Sequence, residues 1–154
     1  MANYVRNTLR VVEGDPKEVF DTIRTEQSVI DFHQLIPMPE HIVNSTQEVE
    51  WHDMKLPAWE AWAAEHWGTF TNACDAQYFQ SNAIDFDTPW SEPAPIFEAL
   101  AKRFPNHEMV VISDYLDWGT DEYETYVLKN GSVISEGRKS YRYVGDGTGS
   151  GKTA

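Results

Sequence analysis

The sequence predicts an α+β domain in which a β-α-β-β-α-β core carries an inserted segment after its first helix and extra antiparallel strands at its end. Three observations predict this class. Apolar and polar residues alternate at the start of the chain, which is typical of a half-buried strand. Three helix patterns, each led by proline, are interspersed with strand patterns. An Asn130-Gly131 pair between two alternating segments indicates a hairpin, because both residues tolerate positive φ.

The first strand and helix are defined by local signals. Alternation covers Val5 to Val11, and Gly14 ends the strand. The tetrapeptide Asp15-Pro16-Lys17-Glu18 has an N-cap residue, a proline at the first helical position and a capping-box glutamate. It predicts a helix from Pro16 to about Thr25. We expect its buried face to consist of Val19, Phe20 and Ile23.

The inserted segment follows this helix. Residues 32–39 are apolar but interrupted by two prolines, so we expect an extended strap on the edge of the core. Residues 40–56 are predicted to be an irregular polar connection. Leu56-Pro57-Ala58-Trp59 opens a second helix, which Gly68 ends. One face of this helix is predicted to carry Trp59, Trp62 and His66.

The second half of the chain alternates strand and helix patterns. The predicted elements are a hairpin of residues 75–79 and 83–88, a helix over 96–104, a strand over 108–116, a hairpin of 122–128 and 132–136, and a short strand over 141–143. The core order is that of ferredoxin-like domains. We therefore expect one ferredoxin-like domain over residues 1–144 and a flexible glycine-rich tail over 145–154.

Charge distribution favours a basic protein partner. The chain has 25 acidic and 12 basic residues. Residues 56–128 hold 13 of the acids and only two bases, Lys102 and Arg103. Such a field repels nucleic acid and anionic membranes and attracts basic protein surfaces. A single cysteine and the lack of a long apolar run suit a cytoplasmic protein that does not span a membrane. The acidic charge argues against direct binding of nucleic acid. The oligomeric state is not predicted.

Short motifs along most of the chain resemble one family. In order, they are Asn7-x-Leu9-x-Val11, Phe32 with Ile36-Pro37-Met38-Pro39-Glu40, Trp67-Gly68-Thr69 with Asn72, and Phe86-Asp87-Thr88-Pro89-Trp90. They resemble the YubB-type ferredoxin-like family of small phage- and plasmid-borne proteins. Phe70-Thr71 and Pro89 depart from that pattern, where Lys-Trp and Ala are usual. The resemblance implies the fold and a mobile element in a bacterial host, and it implies no activity.

The same motif residues also have an architectural interpretation, which we favour. Gly68 can close the second helix, and Thr69 and Asn72 can bond backbone groups at the following turn. Trp67 and Trp90 are then expected to fill the core.

No pattern in the sequence predicts catalytic residues, a metal site or a cofactor. Residues 147–153 resemble a phosphate-binding loop, but Asp146 stands where the first glycine is required and no helix follows. The histidines lack metal-ligand spacing. Asp85 and Asp87 share one face of a strand, where they repel each other unless a cation or a basic partner lies between them. An enzyme is therefore the less favoured class.

Two classes of function remain open. The first is a non-enzymatic phage or plasmid protein whose acidic surface binds a basic host protein, such as a nucleic-acid-binding or defence protein, and inhibits it by mimicking DNA. Its predicted partner-binding residues are Asp114, Asp117, Trp118, Asp121, Glu122 and Glu124. These carboxylates are equally compatible with a purely solubilising role.

The second class is a small enzyme or ligand-binding domain with a site between the inserted helix and the sheet. Its candidate residues are His66, Trp67, Thr69, Asn72 and Asp87. A cavity with converging polar groups favours this second class, whereas a flat acidic face favours the first.

Overall fold

A computed structural model describes residues 2–141. The strands are β1 (Tyr4–Glu13), β2 (Glu48–Trp51), β3 (Met54–Pro57), β4 (Cys74–Gln80), β5 (Ala83–Pro89), β6 (Glu108–Asp114), β7 (Glu122–Lys129) and β8 (Ser132–Ser140). The α-helices are α1 (Pro16–Ile23), α2 (Glu40–Val43), α3 (Ala58–His66) and α4 (Ala94–Arg103). Two short 3-10 helices cover Phe32–Gln34 and Leu116–Trp118.

Six strands form one antiparallel sheet in the order β4-β5-β1-β6-β7-β8. The first four of these strands, with α1 and α4, have the β-α-β-β-α-β order in sequence and place β1 at the centre. This arrangement confirms the predicted α+β core, and β7 and β8 are the predicted extra strands. Because β5 and β6 both run antiparallel to β1, their C-terminal ends lie beside the N-terminus of β1.

Local signals account for β1 and α1. Alternate residues of β1 are buried, as its pattern predicts, and α1 buries the three expected side chains, Val19, Phe20 and Ile23. The Asp15 carboxylate accepts a hydrogen bond from the Lys17 N–H at 3.0 Å. Glu18 contacts His107 Nε2 at 3.0 Å. The helix stops two residues short of Thr25, whose hydroxyl accepts the backbone N–H groups of the turn that follows.

The inserted segment is more regular than its sequence predicts. The expected strap begins with a 3-10 turn at Phe32, because Asp31 accepts the N–H of His33. The predicted irregular connection over 40–56 is wrong, since this stretch contains α2 and the β2–β3 hairpin. His52 and Asp53 form the hairpin turn, both with positive φ, in place of the usual Asn-Gly. Trp51 anchors the hairpin to α3 by donating to Glu65 at 2.9 Å.

The core lies between the sheet and the helices, and aromatic rings dominate its insertion side. Phe32 packs edge-to-face against Trp67 and Phe86, with ring centroids 5.6 and 5.9 Å apart. On α3, two of the three residues of the predicted face lie together, because Trp62 stacks on His66 at 4.2 Å. Trp59 is exposed. Trp67, at the C-terminal end of α3, thus packs against the sheet through Phe32.

The C-terminal hairpin follows the sequence closely. Asn130 and Gly131 both have positive φ, as predicted. β8 continues to Ser140, so Tyr141 follows it directly instead of starting a separate strand. The described residues do not include residues 142 and 143. The predicted tail and its phosphate-loop-like motif over 147–153 also lie outside them. Among residues 2–141, no helix is long and apolar enough to cross a membrane.

Gly68 offers a test of how closely α3 approaches α4. Its φ is +81°, and an added Cβ would lie 2.6 Å from the Pro95 ring. We expect Gly68→Ala to lower the free energy of unfolding by about 2–4 kcal/mol, from left-handed strain and overpacking together. Gly131→Ala is the matched control, because Gly131 has φ +78° and open space around it, and should cost about 1 kcal/mol. The free energy of unfolding of both variants is measured by urea denaturation. An equal loss for the two variants would contradict the close approach of α3 and α4.

Candidate partner-binding site

A buried polar network links the three central strands. Asn7 on β1 is fully buried, and its side-chain amide donates to the Thr88 hydroxyl on β5 at 3.0 Å. On the other side, the Ser113 hydroxyl on β6 donates to Asn7 Oδ1 at 2.8 Å. All three side chains are completely inaccessible, so each bond replaces water that the groups have lost. The network fixes the positions of β5 and β6 at the end of the sheet where β1 begins.

The same network extends into the turn that follows β5. The Thr88 hydroxyl donates to the Ser91 carbonyl at 2.8 Å, and the Ser91 hydroxyl donates to the Gly68 carbonyl at 2.6 Å. Thr69, also buried, donates to the Pro89 carbonyl at 2.8 Å. The segments around Asn7, Gly68 and Thr88, which are distant in sequence, therefore meet around this one turn.

Trp90 lies at the centre of that turn with a backbone conformation that is unusual for a residue other than glycine. Its φ is +69°, and the Ser91 N–H donates across it to the Pro89 carbonyl at 2.8 Å. A three-residue turn with positive φ at its centre is rare and strained, and glycine is the residue it suits best. The Trp90 N–H donates to Asn3, which fixes the turn against the start of β1. The prediction that Trp90 fills the core is wrong, because its side chain is 44% exposed.

Trp118 lies beside Trp90 on a second loop of the same sheet end. It ends the 3-10 helix after β6, and Gly119 closes that helix with φ +76°. Trp118 is 42% exposed. The two indole rings meet edge-to-face, with centroids 5.9 Å apart and planes at 83°. Two large aromatic side chains therefore form an exposed corner at the sheet end.

The floor beside the two indoles is polar and hydrogen-bonded. The Tyr115 hydroxyl donates to Glu92 Oε2 at 2.5 Å, and the Tyr126 hydroxyl donates to the same oxygen. Burial, with a further contribution from the Glu92 carboxylate, raises the pKa of both tyrosines above the ordinary value. Both hydroxyls therefore remain protonated donors at physiological pH, and they hold the Glu92 carboxylate in place.

Arg138 on β8 completes this floor. Its guanidinium lies 4.2 Å from the centroid of the Tyr115 ring, a cation–π contact. It also contacts Glu122 at 3.5 Å and Glu124 at 3.9 Å. The result is a cavity of about 150 Å³. Its lining residues are Trp90, Glu92, Tyr115, Trp118, Thr120, Glu122 and Arg138.

Of the predicted acidic residues, Glu122 lines this cavity, whereas Asp114 and Asp117 line a second cavity beside Tyr4 and Arg6. Several of them have structural partners. Asp117 accepts the Tyr4 N–H at 2.8 Å, which ties the loop to β1. Asp114 accepts the Leu116 N–H at 2.9 Å and the Tyr141 hydroxyl at 2.5 Å. Asp121 accepts the Tyr141 N–H through its backbone carbonyl at 2.9 Å. Glu122 and Glu124 both contact Arg138. Arg138 therefore compensates part of the negative charge of the predicted acidic residues.

The second predicted set of residues does not come together in one site. His66 stacks on Trp62, while Trp67 is buried and donates its indole N–H to the Ile36 carbonyl at 2.9 Å. Thr69 and Asn72 bond backbone groups, as their architectural interpretation predicts. Asp87 is on the opposite face of the sheet from Trp67.

Asp87 shares that opposite face with Asp85, and Arg6 lies between the two carboxylates. Arg6 is 2.9 Å from Asp87 and 3.2 Å from Asp85. The cation that this pair was expected to need is therefore supplied by β1. Among residues 2–141, no three His, Cys, Asp or Glu side chains are arranged to hold a metal ion.

Sequence reasoning missed five residues of the cavity as site residues: Trp90, Glu92, Tyr115, Thr120 and Arg138. Trp118 and Glu122 were predicted from their acidic surroundings. The one available signal was Pro89-Trp90-Ser91-Glu92, a stretch of turn-forming residues that contains a large aromatic between a strand and a helix. Arg138 carries no comparable signal, because its position depends on strand pairing between β7 and β8.

The cavity and fold can now be compared with known proteins. A protein-family model described as a ferredoxin-like domain in Api92-like protein matches residues 66–143, just over half of the 154-residue chain. The chain therefore belongs to this family, which confirms the ferredoxin-like fold. The matched range includes every residue that lines the cavity. The chain has no significant match among curated proteins or among solved structures.

Substitutions at Trp90 test the strained turn. Because Trp90 has φ +69°, we expect Trp90→Gly to be more stable than Trp90→Ala by about 1 kcal/mol. Trp59 supplies the matched control, since it is a partly exposed tryptophan within α3. There, glycine should be less stable than alanine by about 1 kcal/mol. Chemical denaturation of the four variants measures both differences. If glycine and alanine have the same order of stability at both positions, the strain at Trp90 is refuted.

Proposed function

We propose that this protein is a non-enzymatic interaction module that binds a basic protein partner through the corner formed by Trp90 and Trp118. The observation that carries the proposal is Trp90 itself. Its backbone conformation suits glycine better than tryptophan. Because Trp90 is 44% exposed, burial in the core does not account for the large side chain either. Residues kept in strained conformations are concentrated at functional sites. Exposed tryptophans are also typical anchors of protein interfaces.

Electrostatics supports a basic partner. The cavity itself has two carboxylates, Glu92 and Glu122, and one cation, Arg138. Asp117 and Asp121 lie on the loop between β6 and β7, and Asp114 ends β6 directly before that loop; all three add to the negative field. A basic partner would be steered toward this end of the sheet, and its association would weaken as salt screens the charges.

The dimensions of the cavity favour a protein side chain over a complete small molecule. Its volume of about 150 Å³ is below the roughly 300–1,000 Å³ typical of small-molecule sites. The alternative, a small enzyme or ligand-binding domain with a site near Trp67 to Asn72 and Asp87, has less support. In that alternative site the polar groups already bond backbone or, for Asp87, Arg6.

For the partner's identity, we propose a nucleic-acid-binding or defence protein of a bacterial host. The chain itself would then be a phage or plasmid accessory protein acting in the host cytoplasm. The resemblance to YubB-type proteins supports this setting, and the net charge of −13 supports occupation of a surface that otherwise binds phosphates. On this proposal, the acidic sheet end competes with nucleic acid for the partner.

The proposal predicts that Trp118 is a binding hot spot. We expect Trp118→Ala to weaken binding of the captured partner at least about 30-fold, because anchors of this kind contribute about 2 kcal/mol or more. Trp59→Ala, which removes an exposed tryptophan from α3, should leave binding unchanged. Affinity is measured by calorimetry with a partner first captured from host lysate and then purified.

Further measurements on the same partner separate the alternatives. It should bind DNA or RNA, and excess nucleic acid should displace the protein. Asp117→Asn preserves an acceptor for the Tyr4 N–H and should reduce both affinity and its salt dependence. Unchanged binding by folded Trp118→Ala would overturn the proposal. Salt-independent binding would remove its electrostatic basis.

A further inference from the structure

We infer that the corner between Trp90 and Trp118 is a receptor for the ammonium group of one lysine side chain of the partner. This inference rests on the proposed function and specifies the chemistry of its central contact. It is drawn from the arrangement of the indoles, the two carboxylates and Arg138 around one cavity.

The two indoles provide aromatic walls. Their planes are nearly perpendicular, at 83°, so they enclose a corner instead of stacking on one another. The face of an indole attracts a cation more strongly than the face of tyrosine or phenylalanine does. Both indoles are more than two-fifths exposed, so a side chain can reach the corner from solution.

The carboxylates provide the matching charge. Glu92 and Glu122 line the cavity together with Arg138, which leaves one negative charge uncompensated within it. Glu92 is held in place by two tyrosine hydroxyls. A single added cation would therefore neutralise the cavity, whereas an anion would add to the excess negative charge.

The remaining space favours lysine. Arg138 already places its guanidinium over the Tyr115 ring and contacts Glu122, so a second guanidinium would compete with it for the same ring and carboxylate. A lysine brings a compact ammonium on an apolar stem, and such stems pack along aromatic surfaces while the charged head stays polar. About 150 Å³ accommodates one side chain of this kind.

The inference can be tested with small probes on the full chain. Nα-acetyl-lysine methylamide is titrated while the indole N–H signals of the six tryptophans are followed by NMR. We expect saturable shifts of the Trp90 and Trp118 signals, which are assigned from the Trp90→Gly and Trp118→Ala variants. The norleucine analogue, which has a similar stem without the charge, should produce no such shifts.

Glutamine variants of Glu122 and Glu124 test the role of the Glu122 carboxylate in the cavity. Glu122 and Glu124 both contact Arg138, but only Glu122 lines the cavity. Glu122→Gln should therefore weaken the lysine probe about threefold, whereas Glu124→Gln should leave its affinity unchanged. Equal effects of the two variants would show that Arg138, and not the cavity, controls binding.

The outcomes separate this inference from the proposed function. The matching arginine analogue, Nα-acetyl-arginine methylamide, is titrated in the same way. Equal shifts with norleucine, tighter binding of the arginine analogue, or no shift at Trp90 and Trp118 would each overturn the lysine receptor. If the lysine probe fails while Trp118→Ala still loses the partner, the interaction module stands and only its central contact is different. If the probe binds but Trp118→Ala retains the partner, the proposed function is wrong.

Discussion

The hydrogen bonds of Asn7 are the constraint on which the end of the sheet that carries Trp90 and Trp118 depends. A buried amide can be accommodated at the centre of a sheet only if its donors and acceptor are satisfied. Here the Thr88 hydroxyl and the Val5 and Phe86 carbonyls accept from the amide. The Ser113 hydroxyl donates to its oxygen. The arrangement fixes β5 and β6 relative to β1, and it therefore fixes where the loops after β5 and β6 leave the sheet. Those loops carry Trp90 and Trp118.

This constraint explains how a strained tryptophan persists. The turn around Trp90 is bonded on every side: Thr88 and Thr69 donate into it, and Ser91 donates out to Gly68. Strained conformations survive where the surrounding structure determines them more strongly than local preference does. The motif residues around positions 7, 67–69 and 86–89 are thus mainly architectural, as the sequence suggested, whereas Trp90 does not fill the core. What this architecture presents to solvent is the Trp90 indole.

Much of the fold could be predicted because its signals are local. Alternation along β1, the cap at Asp15 and the Asn130-Gly131 turn each depend on a few neighbouring residues. The β2–β3 hairpin was missed because its turn uses His52 and Asp53, which sequence patterns do not associate with two positive φ values. The cavity was missed because Glu92, which follows β5, and Arg138 on β8 meet only through the pairing of five strands, in the order β5-β1-β6-β7-β8. The acidic loop around Trp118 was predictable from composition alone.

The distinction between a solubilising and a binding surface cannot be made from carboxylates, because both uses favour exposed negative charge. The internal partners of Asp114, Asp117, Glu122 and Glu124 make charge even less informative, since these residues also stabilise loops and strand pairing. Aromatic side chains behave differently. Solubility gains nothing from an exposed indole, and the turn at Trp90 would be less strained with glycine. A tryptophan at this position, in edge-to-face contact with a second one beside the cavity, therefore supports the proposal of a binding surface more strongly than the carboxylates do.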